Sequence, residues 1–346
     1  MSLRQLWFVA PGEVQVRETP LPVLAAGQVL VKAECSAISA GSELLVYRGR
    51  LPGDLALDAT LASLQRSTAY PLPYGYACVG RVERIGNGVS PDWLDRRVFS
   101  FQPHASHFVA ETSQLLAIPD DVCSEAAVFL ANAETAVNLI HDGAPALGER
   151  VAVCGLGVVG LLLTGILAQF PLGLLVGLDG IAARRAKASA LGMHASYDPS
   201  RDADWRALRA DLNLPVDLSR PAESGADLIF EVSGAPAALN GALELAGYAG
   251  RIVVGSWYGS QPAPLQLGGG AHRHRLRIMT SQVSTITPEL SGRWDKARRF
   301  ETAWTAIRRL QPQAWISHRM PLEQAATLYR NLDQTPGGVL QAVFRY

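Results

Sequence analysis

The sequence predicts an α/β protein of two domains, one of them a doubly wound parallel sheet. Three observations carry this. The chain has 346 residues, too many for one ordinary core. From about Ser124 onward, strand-like and helix-like segments alternate, the pattern of βαβ units around a parallel sheet. Between the first such strand and its helix runs Gly155-Leu156-Gly157-Val158-Val159-Gly160, a glycine-rich turn with G-x-G-x-x-G spacing.

The first third reads as β. Leu6–Val9, Val14–Arg17 and Val29–Lys32 are short strands parted by Pro and Gly, with Pro20 and Pro22 in the second turn. Val79–Gly86 alternates apolar and polar residues, and Val98–Phe101 and Phe108–Val109 continue the pattern. Many short strands with glycine turns predict a small barrel or sandwich. Between them, Leu55, Leu57, Leu61 and Leu64 form a helical stripe that packs on the barrel or caps a cleft. In the second part, Arg150–Cys154, Leu174–Leu178, Asp227–Val232, Arg251–Gly255 and Arg275–Val283 read as strands. Val158–Gln169, Ala182–Leu191 and Pro236–Leu245 read as the helices between them. The tail returns to helix over Trp294–Leu310 and ends in a strand, Leu340–Phe344.

Composition narrows the function classes. With 48% hydrophobic and 18% charged residues the chain can bury a large core, which excludes a disordered protein. Lys+Arg and Asp+Glu are both 31, so no net field draws the chain to nucleic acid or an anionic membrane. The expected partner is a small-molecule substrate. Val151–Leu178 carries no charge and is long enough to cross a bilayer, but six glycines and Pro171 interrupt it; a buried strand–helix–strand accounts for it better. The first twelve residues carry no secretory pattern. Cys35, Cys78, Cys123 and Cys154 have neither C-x-x-C spacing nor a disulfide framework, and read as buried thiols of a cytoplasmic protein.

The glycine turn has the context its motif needs: it follows a strand and opens a helix. Gly155 permits the tight turn, Gly157 lets the backbone approach a pyrophosphate, and Gly160 lets helix and strand pack closely. The helix N-terminus, with Leu156, Val158 and Val159, offers free N–H groups and a positive dipole end. Asp179 ends the next strand, near the spacing expected of a carboxylate that binds ribose hydroxyls. It favours NAD, while Arg184 and Arg185 could welcome the 2′-phosphate of NADP. Ser233, Gly255 and Ser256 follow later parallel strands at the sheet edge where ligands bind.

Gly75-Tyr76-Ala77-Cys78-Val79-Gly80 followed by Gly148-Glu149-Arg150-Val151-Ala152-Val153-Cys154 and the glycine turn resembles the medium-chain dehydrogenase/reductase superfamily, zinc-type alcohol dehydrogenase class, over nearly the whole chain. Within it the chain is similar to zinc-lacking members such as bacteriochlorophyllide hydroxyethyl dehydrogenases. The resemblance implies a GroES-like β-barrel catalytic domain (residues 1–123 and 286–346) around a Rossmann domain (124–285), and a homodimer joined through the last parallel strand. It also implies zinc ligands that this sequence lacks. Gly75, Tyr76 and Ala77 stand where the family has Gly-His-Glu, Ser39 stands at the first cysteine, and 127–132 holds neither Cys nor His. The four-cysteine lobe is absent, and the expectation is no zinc.

Without zinc, side chains must steady the charge that develops on oxygen. The resemblance places five candidates near the reaction. Tyr76 replaces the lost histidine and either donates a proton or fills the void. Ser42 and Glu43 match a relay hydroxyl and a supporting carboxylate, give or take one residue, Glu43 better suiting a structural ion pair. His104, an imidazole of the kind suited to proton transfer, follows the stretch that walls the substrate pocket, with His107 a lesser candidate. Asn132, or Glu134, binds substrate or caps a helix. Trp257 and Tyr258 wall an apolar pocket or pack, and the basic run His272–Arg277 reads as an exposed loop. The expected activity is hydride transfer between a nicotinamide and an alcohol or ketone. Reduction of a conjugated C=C bond is the competing chemistry, and dinucleotide binding without turnover the competing class.

Overall fold

The computed structural model describes residues 2–53, 67–214 and 224–346; the leucine stripe at 55, 57, 61 and 64 lies outside them. The chain forms two compact units, Met1–Ala131 with Ile307–Tyr346, and Asn132–Ala306.

The first unit opens with a hairpin of β1 (Ser2–Ala10) and β2 (Glu13–Pro20), whose register pairs Leu6 with Val16. Next come β3 (Gln28–Ala37), α1 (Ala40–Tyr47), β4 (Cys78–Ile85), β5 (Arg97–Ser100), β6 (His107–Glu111), β7 (Leu116–Ala117) and the short α2 (Ser124–Ala127). The helix α3 (Leu130–Gly143) leads into the second unit. That unit alternates as expected: β8 (Arg150–Cys154), α4 (Val158–Leu167), β9 (Leu174–Leu178), α5 (Ala182–Ala190), β10 (Ala195–Tyr197), α6 (Asp202–Asp211), β11 (Ala226–Glu231), α7 (Ala238–Leu245), β12 (Ala246–Val254), α8 (Gly270–Arg273) and β13 (Arg277–Thr280). The chain then leaves through α9 (Lys296–Leu310) and completes the first unit with β14 (Ile316–Pro321), α10 (Ala325–Gln334) and β15 (Gln341–Arg345).

The second unit is a six-stranded parallel sheet in the order β10-β9-β8-β11-β12-β13, the 3-2-1-4-5-6 order of a dinucleotide fold. The order reverses between β8 and β11, so the glycine turn after β8 lies at the switch point. β8 and α4 are apolar all round because the sheet and its covering layer bury both, which explains the uncharged stretch from Val151. No helix among the described residues is long and apolar enough to cross a membrane. The first unit holds a separate mixed sheet, β14-β15-β3-β4-β5-β7, with β6 also pairing β3. The fold is thus α/β, a parallel Rossmann sheet plus a separate sheet domain.

The units part at 131/132 and 306/307 rather than at 123/124 and 285/286. Arg299 gives the reason. It is fully buried on α9, donates to Glu134 Oε1 at 2.7 and 3.0 Å and to Asn138 Oδ1 at 2.6 Å, and reaches the carbonyls of Val283 and Thr285. A buried cation must stay with its anion, so 286–306 goes with α3. The thiols also differ from expectation: Cys35, Cys78 and Cys154 are buried, but Cys123 is exposed because it precedes α2 at the surface. Burial pushes Cys78 up to about 12 and Cys35 and Cys154 well above their ordinary value, so none of these three serves as a thiolate.

His141 on α3 packs against Trp294 with ring centroids 4.2 Å apart. Burial, aided by Arg299 and Arg298, lowers its imidazole from 6.5 to about 4. Below pH 6.5 the unfolded chain takes up a proton that the folded chain refuses. Stability therefore falls as the pH drops from about 6.5 to about 4, with no further slope from this group below that. The half-exposed ring limits the loss to about 1 kcal/mol. Denaturant unfolding of wild type and His141→Phe at pH 7 and pH 4.5 checks this: wild type should lose more than the variant, and equal losses would refute it.

Candidate active site

The candidate cofactor site lies at the carboxyl edge of the parallel sheet. Gly155 has φ +97°, and a Cβ there would strike Ser233 Cα at 2.5 Å; only glycine fits between β8 and the loop after β11. At Gly160 a Cβ would lie 2.0 Å from the Gly155 carbonyl oxygen. At Gly157 it would meet nothing within 4 Å, so the turn faces open space. No side chain caps α4. An uncapped N-terminus behind an open glycine cradle fits a pyrophosphate. Asp179 Oδ2 accepts from the Leu156 N–H at 2.8 Å and Oδ1 from the Ile181 N–H at 2.8 Å, so the carboxylate is fixed to the turn itself. Arg184 Nη1 lies 3.7 Å from Asp179, and Arg185 binds the Asp179 carbonyl and Asp198.

Sequence reasoning missed Glu231. It ends β11 fully buried, and accepts from the Ser233 N–H at 2.9 Å, from the Ser233 hydroxyl, and from the Tyr258 phenol at 2.5 Å. Burial and then Glu231 push the Tyr258 phenol well up. Ser256 Oγ accepts from the Gly234 N–H at 2.8 Å, and Gly255 donates to the Glu231 carbonyl. Ser233, Gly255 and Ser256 thus converge on one knot whose Ser233 backbone braces Gly155. The signal was available: an acid closing the apolar run Leu228-Ile229-Phe230 is costly unless it is paired.

In the first unit the structure brings Tyr76, Ser42 and Ser39 together. The Tyr76 phenol donates to Ser39 Oγ and lies 3.1 Å from Ser42 Oγ. Ser39 and Ser42 flank the start of α1, and Tyr76 precedes β4 and remains half-buried. A second group, Glu43 and His104, has no exposed surface. His104 Nε2 is 2.9 Å from Glu43 Oε2, Tyr329 donates to the same oxygen, and Glu43 Oε1 accepts the Ser39 N–H at 2.7 Å. Their burial removes both from the groups that touch a substrate. His107 instead lies near Ser106 Oγ at 3.1 Å, its imidazole lowered mainly by burial. Asn132 is buried in the first turn of α3, in the other unit, and Glu134 is spent on Arg299 rather than on capping or substrate. The basic run forms α8 and the exposed edge strand β13.

Zinc requires several thiolate, imidazole or carboxylate ligands converging on one point. The Tyr76 cluster offers three hydroxyls, Glu43 is saturated by three donors, and no group of three His, Cys, Asp or Glu among the described residues could hold a metal ion. These residues do not fit zinc.

Comparison with known proteins agrees with this frame. Residues 158–300 match the family model of zinc-binding dehydrogenases. An uncharacterized zinc-type alcohol dehydrogenase-like protein of Escherichia coli K12 is 23% identical, with 92% of this chain and 93% of that one covered. Rat sorbitol dehydrogenase is 19% identical, with 94% and 92% covered. The crystal structure of an alcohol dehydrogenase from E. coli CFT073 with NADH superposes with a TM-score of 0.77 at 19% identity, covering 100% of this chain and 99% of that one.

Proposed function

We propose that this chain, zinc-type alcohol dehydrogenase-like in sequence and fold, is an NAD(P)-dependent oxidoreductase that interconverts a secondary alcohol and its ketone without zinc. The observation that carries the reading is the Tyr76–Ser39–Ser42 cluster, which offers a phenolic proton donor where the sequence lacks a metal ligand. Bound nicotinamide supplies or accepts the hydride. The glycine turn holds the pyrophosphate, and Asp179, fixed to that turn, takes the ribose hydroxyls. A carboxylate there repels a 2′-phosphate, so NAD is the favoured form; Arg184 is already turned toward Asp179. In the direction of reduction Tyr76 gives its proton to the nascent alkoxide. The hydroxyls of Ser39 and Ser42 hold the phenol in place and share the charge left on it.

Hydride transfer from NADH and NADPH to ketones and to conjugated enones, with secondary alcohols and polyols in reverse, tests this. Ketone turnover with NADH the tighter ligand, by protein whose zinc content is substoichiometric, is expected. Enone turnover alone would make the chain a C=C reductase. Tight NADH binding without turnover on any of the panels would make it a binding protein. Stoichiometric zinc surviving dialysis would sink the metal-free reading.

A further inference from the structure

Tyr76 is a long side chain on a loop, and a proton donor misplaced by an ångström loses much of its worth. Its support lies beneath it. Gly75, just before Tyr76, has φ +122°, and a Cβ built there would lie 2.8 Å from both Cδ2 and Nε2 of His104. The His104 ring is therefore pressed against the backbone that carries Tyr76. The His104 N–H donates to the Tyr74 carbonyl at 3.4 Å, a second tie to the same loop. The ring's Nε2 also meets Glu43, and Glu43 holds the N–H of Ser39, the residue whose hydroxyl accepts the Tyr76 phenol.

One proton arrangement satisfies the whole buried set. Tyr346 donates to Ser36 Oγ at 2.7 Å and Ser36 donates to His104 Nδ1 at 2.7 Å. His104 Nε2–H then donates to Glu43, which also takes Tyr329 and the Ser39 N–H. Phe344 closes the edge of the ring at a centroid distance of 5.1 Å. Every donor in the chain finds an acceptor, so the ring has one preferred orientation.

We infer that the buried His104–Glu43 pair is the positioning element of the Tyr76 cluster, fixing the Gly75 backbone through the imidazole ring and the Ser39 amide through the carboxylate. The inference deepens the reading of Tyr76 as proton donor and rests on it for its catalytic consequence. His104 is thus a positioning residue and touches no substrate.

The test uses the whole chain labelled with 3-fluorotyrosine, with the Tyr76 resonance identified by its loss in Y76F. In H104A the Tyr76 line should broaden or split, while Tyr197, Tyr248 and Tyr258 of the other unit keep their shifts. H104Q, whose amide can still donate to Glu43, should restore a single line. H104N, which reaches Ser36 but not Glu43, should not, and it carries the test if H104A fails to fold. In turnover of the best ketone with NADH, H104A should lower kcat about a hundredfold with KM for NADH unchanged. H104A/Y76F should be no slower than Y76F alone, because both changes disable the same group. An unshifted single Tyr76 line in folded H104A or H104N, or multiplying losses in the double variant, would overturn the inference. If Y76F turns over at the wild-type rate while the Tyr76 line still splits in H104A, the proton-donor reading fails and the positioning of Tyr76 by His104 stands.

Discussion

Replacing Gly157 by leucine should abolish NADH binding, raising Kd by about a hundredfold or more, a loss of nearly 3 kcal/mol, while leaving the fold intact. The separation of the two effects follows from local geometry. Gly157 has φ −68° and ψ −169°, ordinary extended backbone that leucine adopts without strain, and a Cβ there meets no protein atom within 4 Å. The side chain would occupy only the space in front of the turn, where a pyrophosphate must come within hydrogen-bond distance of the α4 N–H groups. Gly160→Ala should do the reverse. Its Cβ would lie 2.0 Å from a backbone oxygen, so the turn itself must move, at a cost of about 2–3 kcal/mol. Fluorescence titration with NADH together with denaturant unfolding of both variants decides the matter. Retained binding in folded G157L would mean that the turn faces no phosphate.

Tyr76→Phe should lower kcat by about 10²–10⁴-fold, the usual worth of a positioned proton donor, with the Kd for NADH changed by no more than about twofold. The substitution removes one oxygen and keeps the ring, which packs edge-on to Tyr74 at 6.0 Å. Packing at that contact survives, so a kinetic loss reports the lost hydroxyl rather than a cavity. The dinucleotide turn belongs to the other compact unit and shares no residue with the cluster. Wild-type kcat in Y76F would reduce Tyr76 to filler of the space a metal occupies in zinc enzymes. Stopped-flow measurement of the hydride step distinguishes a chemical defect from slow product release.

The sequence made the parallel sheet legible because its signals are local. Arg150–Cys154 and Leu174–Leu178 were read to the residue, since buried parallel strands are continuous apolar runs bounded by glycine and proline. The turn's place between strand and helix was legible for the same reason: it holds three glycines in six residues. The hydroxyl cluster was half legible. Tyr76 and Ser42 were singled out, and their contact depends on folding that joins positions 34 residues apart. The supports were only partly legible: Glu43 was singled out as a supporting carboxylate suited to an ion pair, but its partners were not. Tyr329 and Glu43 lie 286 residues apart, Ser36 and Tyr346 lie 310 apart, and nothing in either neighbourhood announces the partner. β14 and α10 also escaped, although Ala325, Leu328, Tyr329 and Leu332 have the i, i+3, i+4, i+7 spacing of an amphipathic helix. Glu231 was overlooked because a single acid at a strand end reads as the end of a strand.

The place of β15 in its sheet bears on how the protein is made. β15 sits between β14 and β3 in the first unit's sheet, and Tyr346 just after it completes the hydrogen bonds around His104. A ribosome delivers β3 early and β15 some three hundred residues later. Throughout that interval the Cys35–Ala37 end of β3 lacks β15, although β6 already pairs Gln28–Lys32, and the pocket that seats His104 lacks Phe344. The dinucleotide unit, by contrast, is complete in the nascent chain once residue 306 has emerged. Synthesis therefore yields a finished parallel-sheet unit attached to an unfinished mixed-sheet one. That interval is when the uncovered end of β3 is open to mispairing, and when a holdase would do most for the yield of native protein.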